Sequence, residues 1–418
     1  MRTRNWLGAA MMMTAVGCAC GVVMGQDAAD PRVEERSRVG GDELELEEER
    51  VRLRLSASIE RGESIEITPS DRDVLDRIDQ QAHQRDALWS GLSWHTNLDE
   101  ALDAARRLNR PVLSLRLLGD LDDAYSCANS RFFRAALYAN KEVSAYMRDH
   151  FVLHWESVRP VPRITIDYGD GRVIESTITG NSIHYVLTPA GTVADALPGL
   201  YGPGVFLEAL REAERTALGI EPEALSTPVV LIGDPAESAG AQPGEFVLLM
   251  DDAAEAAAER FNDGRFERVP PELAQRAMFT TFSKMFVEMP MLHAVLGLEG
   301  EPINVDIPME ASGYIDRCRL DARSVSLIRT QMSDASEREI SQTIASFEQL
   351  MAGDTALNEE RIRPAIMAML KQKPALRGDL ARLNQLVYEY VFHTPSGDPW
   401  MGLRAGHAYT GLWAQRPD

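Results

Sequence analysis

The residue best suited to chemistry in this chain is a single thiol, Cys127, in the run Tyr125-Ser126-Cys127-Ala128-Asn129-Ser130. Residues 110–118 before it form an apolar run of strand length. The apolar residues after it recur at helical spacing: Phe132, Phe133, Ala136 and Leu137. Cys127 is therefore expected where a strand passes into a helix. A thiol at a helix N-terminus faces unpaired amides and the positive end of the dipole, which favour the thiolate.

The charges close to this thiol are of both signs. Arg131 and Arg134 would lower its pKa, whereas the acidic residues before it would raise it. These acidic residues are Asp120, Asp122 and Asp123. The residues alone leave two alternatives open, a nucleophile that forms mixed disulfides and an inert thiol.

The elements around Cys127 can be predicted from caps and periodicity. Asn97 and Glu100 have the spacing of a helix start, and the strand at residues 110–118 follows that helix. Beyond Cys127 the pattern predicts a helix at residues 141–150, a strand at 151–155, a hairpin of 185–188 and 192–196 through Pro189-Ala190-Gly191, and a closing helix at 205–218.

This order of elements resembles the thioredoxin superfamily, especially its exported bacterial members, over residues 89–219. The resemblance implies an α/β fold, a thioredoxin-like domain with a central mixed sheet flanked by helices. It places the family's Cys-x-x-Cys motif on Cys127 and Ser130, and the family's cis-proline near Ser182. Cys127 and Ser130 are therefore the candidate catalytic residues.

The resemblance leaves two functions open. One is monothiol disulfide exchange or isomerisation through Cys127, with an external thiol or Cys318 resolving the mixed disulfide. The other is a non-catalytic thioredoxin-fold module that binds other proteins. The partners implied are protein thiols or client proteins.

Length and charge limit the remaining function classes. The chain has 418 residues, enough for two or three domains, and a formal net charge of -21. Because nucleic acid and anionic lipid would repel such a molecule, we exclude both as partners.

The N-terminus has the pattern of an export signal. Arg2 and Arg4 precede a mostly apolar stretch, and a cleavage site is expected before Gln26. Residues 1–25 thus predict a periplasmic or other extracytoplasmic location, with a lipid anchor at Cys18 or an uncleaved membrane anchor as alternatives. Without Cys18 and Cys20, the remaining cysteines are Cys127 and Cys318, which either form a disulfide or are separate buried thiols.

Residues 26–88 form a charged N-terminal segment followed by a docking helix. The period-two apolar positions in the first part predict a strand pair or a solvated linker: Leu44, Leu46, Val51, Leu53 and Leu55. Ser70 with Asp73 predicts a helix start, and this helix would run to about Leu88.

Two further regions complete the chain. Within residues 155–178, runs 163–166 and 172–174 flank Tyr168-Gly169-Asp170-Gly171 and predict a β-hairpin. Residues 226–418 predict a helix-rich C-terminal domain, after strand-like runs at 228–233 and 245–250, with an irregular tail from residue 394.

Within that C-terminal region, cap residues and apolar faces predict individual helices. Ser336 and Glu339 predict a capped helix that Gly353 ends, and Pro364 suits the first turn of the next helix. The apolar face of a further helix is predicted from Leu380, Leu383, Val387 and Tyr390.

The sequence predicts no cofactor and no metal. It contains no phosphate-binding loop, and its histidine pairs, His150 with His154 and His393 with His407, do not form a recognised metal-binding pattern.

Overall fold

The computed structural model describes residues 31–178, 180–220, 283, 309–392 and 394. The predicted signal with Cys18 and Cys20, the strand-like runs within residues 228–250, and the tail beyond Thr394 lie outside these residues. Among the helices described, we find none with the length and apolar character that crossing a membrane requires.

The helices before and within the sheet region are α1 (Pro31–Glu60), α2 (Pro69–Ala82), α3 (Ala87–Ser90), α4 (Leu98–Leu108), α5 (Ala128–Phe132), α6 (Lys141–His150) and α7 (Pro203–Ala217). The strands are β1 (Val112–Leu118), β2 (Val152–Arg159), β3 (Arg163–Asp167), β4 (Val173–Thr177), β5 (Ile183–Leu187) and β6 (Val193–Pro198). The C-terminal region contains α8 (Ala322–Gln331), α9 (Glu337–Leu357), α10 (Arg363–Gln372) and α11 (Leu380–Leu386). Short 3₁₀ segments occur at Met309–Gly313, Ile315–Cys318 and Pro374–Gly378.

Strand β1 lies inside a mixed four-stranded sheet with the order β2-β1-β5-β6. It runs parallel to β2, with Val112 opposite Val152, and antiparallel to β5, with Val112 opposite Leu187. Every residue of β1 is buried, which explains its continuous apolar sequence. The predicted mixed sheet flanked by helices and the helical C-terminal region are confirmed.

Several local predictions from sequence are confirmed. The Asn97 side chain accepts hydrogen bonds from the Asp99 and Glu100 amides at the start of α4. Ser336 and Glu339 form a reciprocal capping box on α9. The hairpin of β3 and β4 is also present, as a two-stranded sheet that is separate from the main one.

The strand pair or linker predicted before residue 67 is wrong, because α1 is a helix that runs from Pro31 to Glu60. The period-two pattern does not match the buried face, since Leu53 is 66% exposed. Val51, Leu55 and Ile59 are the buried residues, and their spacing of four is that of a helix face.

The start and end of the docking helix also differ from the prediction. Thr68, not Ser70, is the N-cap of α2, and the Asp71 carboxylate accepts from the Thr68 amide at 2.9 Å. Pro69 fits the first helical turn, so the capping box forms around it. The helix ends at Ala82 and not near Leu88, because His83 adopts the left-handed conformation at φ 50°.

Gly353 does not end α9, which continues to Leu357 with Gly353 buried inside it. A π-helical segment, Asn358–Ile362, then leads directly into α10, where Pro364 occupies the first turn as predicted. The glycine therefore lies in the helix interior at a cost of about 1 kcal/mol relative to alanine.

The C-terminal helices and the sheet share one hydrophobic cluster, which includes Leu115, Ile366 and Leu383. Polar contacts reinforce this packing. The Arg363 guanidinium contacts the buried Asp195 carboxylate of β6 at 2.5 Å. The side-chain amide of Asn358 donates to the Leu200 carbonyl at 2.7 Å. The C-terminal helices are thus a structural cover of the sheet.

Gly202, the N-cap residue of α7, packs tightly against the C-terminal region. A Cβ at this position would lie 2.3 Å from the Cys318 Sγ and 2.9 Å from the Arg317 carbonyl oxygen. The Gly202 amide also donates to the Thr355 hydroxyl at 2.8 Å. Any side chain here would force the C-terminal segment away from the sheet.

We therefore predict that Gly202→Ala lowers the free energy of unfolding by at least ~2 kcal/mol, because the added methyl cannot be accommodated without moving backbone. Urea denaturation followed by circular dichroism would measure the change. Gly378→Ala is the matched control, since a Cβ there meets nothing within 4 Å. Equal midpoints for the two variants would contradict the packing described.

Candidate functional site

Cys127 lies where β1 has ended and α5 begins, as the sequence predicts, and it is the N-cap residue of α5. Its amide donates to the Leu118 carbonyl at 3.1 Å. The loop between them is held by the buried Arg134, whose guanidinium donates to the carbonyls of Leu121 at 3.1 Å and Asp123 at 3.0 Å. The position of the thiol is therefore fixed by the loop that precedes it.

The thiol is completely buried and touches two hydroxyls. Cys127 Sγ lies 3.1 Å from the Ser182 hydroxyl and donates to the Ser130 hydroxyl at 3.5 Å. The Ser130 hydroxyl in turn donates to the Cys127 carbonyl at 2.8 Å. The structure thus brings together the three residues that the resemblance singled out, with serine at both positions beside the cysteine.

A loop from Gly180 to Ser182 packs directly on the thiol. A Cβ at Gly180, where φ is 100°, would lie 3.1 Å from the Cys127 Cβ. The Asn129 side chain donates to the Asn181 side chain at 3.2 Å, so the loop is also bonded to α5. The peptide bonds of the described residues are all trans, including the one before Ser182. A substrate disulfide has no path to the sulfur through this loop.

The C-terminal region covers the loop through Tyr388. The Tyr388 hydroxyl donates to the Asn181 carbonyl at 2.6 Å and lies 3.3 Å from the Arg116 carbonyl oxygen. Burial raises the pKa of Tyr388 well above its usual value, and a negative charge on Cys127 would raise it further. The ring therefore remains a neutral donor beside the thiol.

Sequence reasoning missed Tyr388 because the helix changes its period at that point. The predicted face of Leu380, Leu383 and Val387 is buried, but α11 passes into a π-helical segment, Val387–Val391. The wider turn places Tyr388 inward, whereas the predicted Tyr390 is only partly buried. A spacing of five between apolar residues would have been the signal.

The two arginines that were expected to act on the thiol are engaged elsewhere. Arg134 binds the loop before Cys127, and it also contacts the Asp86 carboxylate at 3.3 Å. Arg131 donates to the Thr177 hydroxyl at 3.0 Å. Their guanidinium groups order the loop and the end of β4.

Cys127 and Cys318 are both free and buried, so these two cysteines are separate thiols. Cys318 Sγ lies 3.7 Å from the Thr355 hydroxyl, and burial raises the pKa of Cys318 to about 11. A thiol with that pKa is a weak nucleophile at neutral pH. Cys318 is therefore unsuited to resolving a mixed disulfide at Cys127.

Two buried histidines make polar contacts within the sheet region. His154 Nδ1 lies 2.9 Å from the Ser114 hydroxyl, and His184 Nε2 lies 2.7 Å from the Tyr138 hydroxyl. Burial lowers the pKa of each histidine to about 3. The Ser114 and His154 pair resembles a nucleophile with its base, but neither residue is accessible to a substrate.

Within the parts of the chain that the structure describes, we find no cluster of three or more metal-binding side chains. His150 is separated from His154 by the start of β2, and it lies 3.0 Å from the Glu214 carboxylate. Each histidine thus has a neighbouring side chain at Nδ1, Ser114 for His154 and Glu214 for His150, and the buried Nε2 of His154 has no hydrogen-bond partner among the described residues.

No family model, curated protein or solved structure matches this chain. The function must therefore be inferred from the geometry of the site itself.

We predict that Cys127 is alkylated by iodoacetamide only when the protein unfolds. The test uses the full chain with Cys18→Ser, Cys20→Ser and Cys318→Ser, so that Cys127 is the single thiol. Because the sulfur is buried, the rate of alkylation should be at least ~100-fold lower than that of a model thiol at the same pH. It should increase with urea concentration along the unfolding curve. Fast alkylation of the native protein would show that Cys127 is accessible.

The buried histidines predict acid lability. An unfolded histidine gains a proton below pH ~6.5, whereas His154 and His184 stay neutral in the folded state down to about 3. Their contribution to stability is fully present above pH ~6.5 and is lost as the pH falls towards 3.

His184→Gln should reduce the slope of unfolding free energy against pH by up to ~1.4 kcal/mol per pH unit between pH 6 and 4. Glutamine cannot titrate but can still bond to Tyr138. Chemical denaturation at several pH values would measure this slope, with His95→Gln, at a partly exposed position, as the control. An unchanged slope in His184→Gln would mean that His184 accepts a proton in the folded state.

Proposed function

We propose that this protein is an extracytoplasmic, thioredoxin-like protein-interaction module and that Cys127 is a structural thiol within it. The observation that carries the proposal is the complete burial of Cys127 beneath the loop that Tyr388 holds. The proposed location rests on the export-signal pattern of residues 1–25.

The sheet topology supports the thioredoxin-like assignment. In the order β2-β1-β5-β6, the first pair is parallel and both following pairs are antiparallel. Cys127 begins the helix that follows β1, and Ser182 lies just before β5. These are the places that the family's cysteine and cis-proline would occupy.

Thiol chemistry argues against a redox role for this arrangement. A thiolate exchanges with a disulfide by direct attack on one of its sulfurs, so the substrate must reach the Cys127 Sγ. Here the sulfur is completely buried and contacts the hydroxyls of Ser130 and Ser182, and Gly180 packs so closely beside the Cys127 Cβ that a side chain there would meet it at 3.1 Å. A mixed disulfide could form only after the covering loop had moved.

The hairpin of β3 and β4 offers a surface for a partner protein. Three of its apolar side chains are exposed, namely Ile166, Tyr168 and Val173. The Arg172 guanidinium lies 4.9 Å from the centre of the Tyr168 ring, a cation–π contact that limits the motion of this ring. Ile166 pairs with Ile174 and Val173 with Asp167, so these two side chains lie on opposite faces of the hairpin, with Tyr168 just after β3 at its turn. Aromatic and apolar side chains exposed at such a tip are enriched at protein contact sites.

The base of this hairpin is joined to the loop that precedes Cys127. The Arg163 guanidinium lies 4.7 Å from the centre of the Tyr125 ring and 2.6 Å from the Asp123 carboxylate. The hairpin is therefore anchored on the same loop that positions the thiol. Its exposed residues project from an ordered base, as a recognition element requires.

The proposal predicts that contact with the partner depends on the hairpin and not on the thiol. A photo-cross-linking amino acid placed at Tyr168 in the producing cells should give discrete adducts with another protein, because this ring is exposed at the tip of the hairpin. Gel electrophoresis and mass spectrometry would detect the adducts. The control carries the same photo-cross-linking amino acid in place of Leu108, which is exposed at the end of α4.

Adding Cys127→Ser should leave the adducts at position 168 unchanged. Separately, the wild-type protein and Cys127→Ser should show equally low rates of insulin disulfide reduction in the presence of dithiothreitol. Reduction that Cys127→Ser abolishes, or a disulfide-linked adduct through Cys127, would overturn the proposal in favour of thiol exchange.

A further inference from the structure

A cavity of about 400 Å³ opens on the side of the molecule formed by α2, α8 and the segment that carries Arg131 and Arg134. Neither Cys127 nor the exposed residues of the hairpin line it. Its apolar wall includes Leu75, Trp89 and Leu327. The cavity is therefore a separate candidate site, large enough for a small organic molecule.

Four arginines line this cavity, namely Arg72, Arg85, Arg131 and Arg134. Arg134 is 5% exposed, and burial is the main cause that lowers its pKa; the nearby Asp86 charge opposes this shift, and those of Arg85 and Arg131 add to it. The Nε atom of Arg131 is buried and has no hydrogen-bond partner among the described residues, whereas that of Arg134 lies 3.3 Å from the Asp86 carboxylate. Like charges brought this close favour the binding of an anion.

The three aspartates of the cavity only partly offset this charge. Both oxygens of Asp79 accept backbone amides, from Asp86 at 3.1 Å and Ala87 at 2.8 Å. Burial raises the pKa of Asp79 to about 6, so its negative charge is incomplete in mildly acidic solution. Asp86 contacts Arg134 at 3.3 Å and the Gln331 amide at 3.4 Å, and Asp76 is exposed.

The positive excess is unusual for this molecule. Four arginines face three aspartates here, whereas the whole chain carries a formal net charge of -21. Arg85 is partly exposed, so its guanidinium is accessible to a ligand that enters the cavity. A guanidinium binds the oxygens of a carboxylate or phosphate through two parallel hydrogen bonds.

We propose that this cavity binds a small organic anion through its carboxylate or phosphate group, with Arg85 and Arg131 as the direct ligands. Arg134 positions Asp86 and the preceding loop and adds its charge to the site. Leu75 and Trp89 contact the apolar body of the ligand. This site is independent of the proposed protein-binding role.

Isothermal titration calorimetry with the full chain tests the proposal, using phenyl phosphate and benzoate as probes and sodium chloride at equal ionic strength as the blank. Inorganic phosphate serves as a third probe that lacks an apolar body. At least one of the two organic anions should bind with a Kd below ~1 mM. Tighter binding of phenyl phosphate than of inorganic phosphate would show that the apolar wall contributes.

Arg85→Gln and Arg131→Gln should each weaken this binding at least ~10-fold, because each removes a charge-assisted contact. Arg107→Gln, at an exposed position on α4 outside the cavity, is the control and should bind as the wild type does. Thermal unfolding of each variant checks that it folds, and Arg131→Lys provides a second variant that keeps the charge but loses the paired donors. The absence of binding by both organic anions, or binding by the folded Arg85→Gln and Arg131→Gln variants as tight as that of the wild type, would overturn the proposal.

Discussion

The hydrogen bond from the Tyr388 hydroxyl to the Asn181 carbonyl joins the C-terminal helices to the loop that covers Cys127. A buried hydrogen bond of this kind contributes about 1 kcal/mol, but breaking it would leave a buried carbonyl unsatisfied at a cost of about 1–3 kcal/mol. Tyr388 belongs to the same hydrophobic cluster as β1 and β5. The burial of the thiol therefore depends on the folding of a segment more than 200 residues away in sequence.

The helical segment after Cys127 relates this buried centre to the molecular surface. Cys127, its N-cap residue, contacts the Ser130 and Ser182 hydroxyls, whereas Arg131 and Arg134 line the cavity beside α2. Arg134 also donates to the loop before Cys127, so one guanidinium contributes to the order of both places. A ligand that binds the arginines would therefore stabilise the loop that positions the thiol, and the hairpin anchored there through Arg163.

The sequence was sufficient to predict the elements whose signals are local. The continuous apolar run of β1, the Asn97 cap and the turn of the β3–β4 hairpin each depend on residues close together in the chain. The predictions that are wrong concern elements whose conformation depends on packing against residues distant in sequence. The alternating leucines of α1 predict a strand pair or a linker, because nothing local shows that Val51 and Leu55 are buried while Leu53 is exposed.

The site was predictable to a similar extent. The resemblance placed Cys127, Ser130 and Ser182 together, and the structure shows all three in contact. It could not predict Tyr388, because the inward direction of that ring depends on a π-helical turn, nor the burial of Arg134 against loop carbonyls. Both depend on contacts between distant parts of the chain.

The serines beside Cys127 are consistent with a thiol that serves packing. A buried S–H group is a weak donor, and the hydroxyl of Ser130 accepts from it while that of Ser182 lies within hydrogen-bond distance. A cysteine at position 130 would instead place a second sulfur where Ser130 now donates to the Cys127 carbonyl. With the sulfur satisfied internally, the exposed hairpin side chains and the partly exposed Arg85 and Arg131 remain accessible to other molecules. Those groups are suited to recognising a partner or an anion by contact, and neither task requires a covalent step.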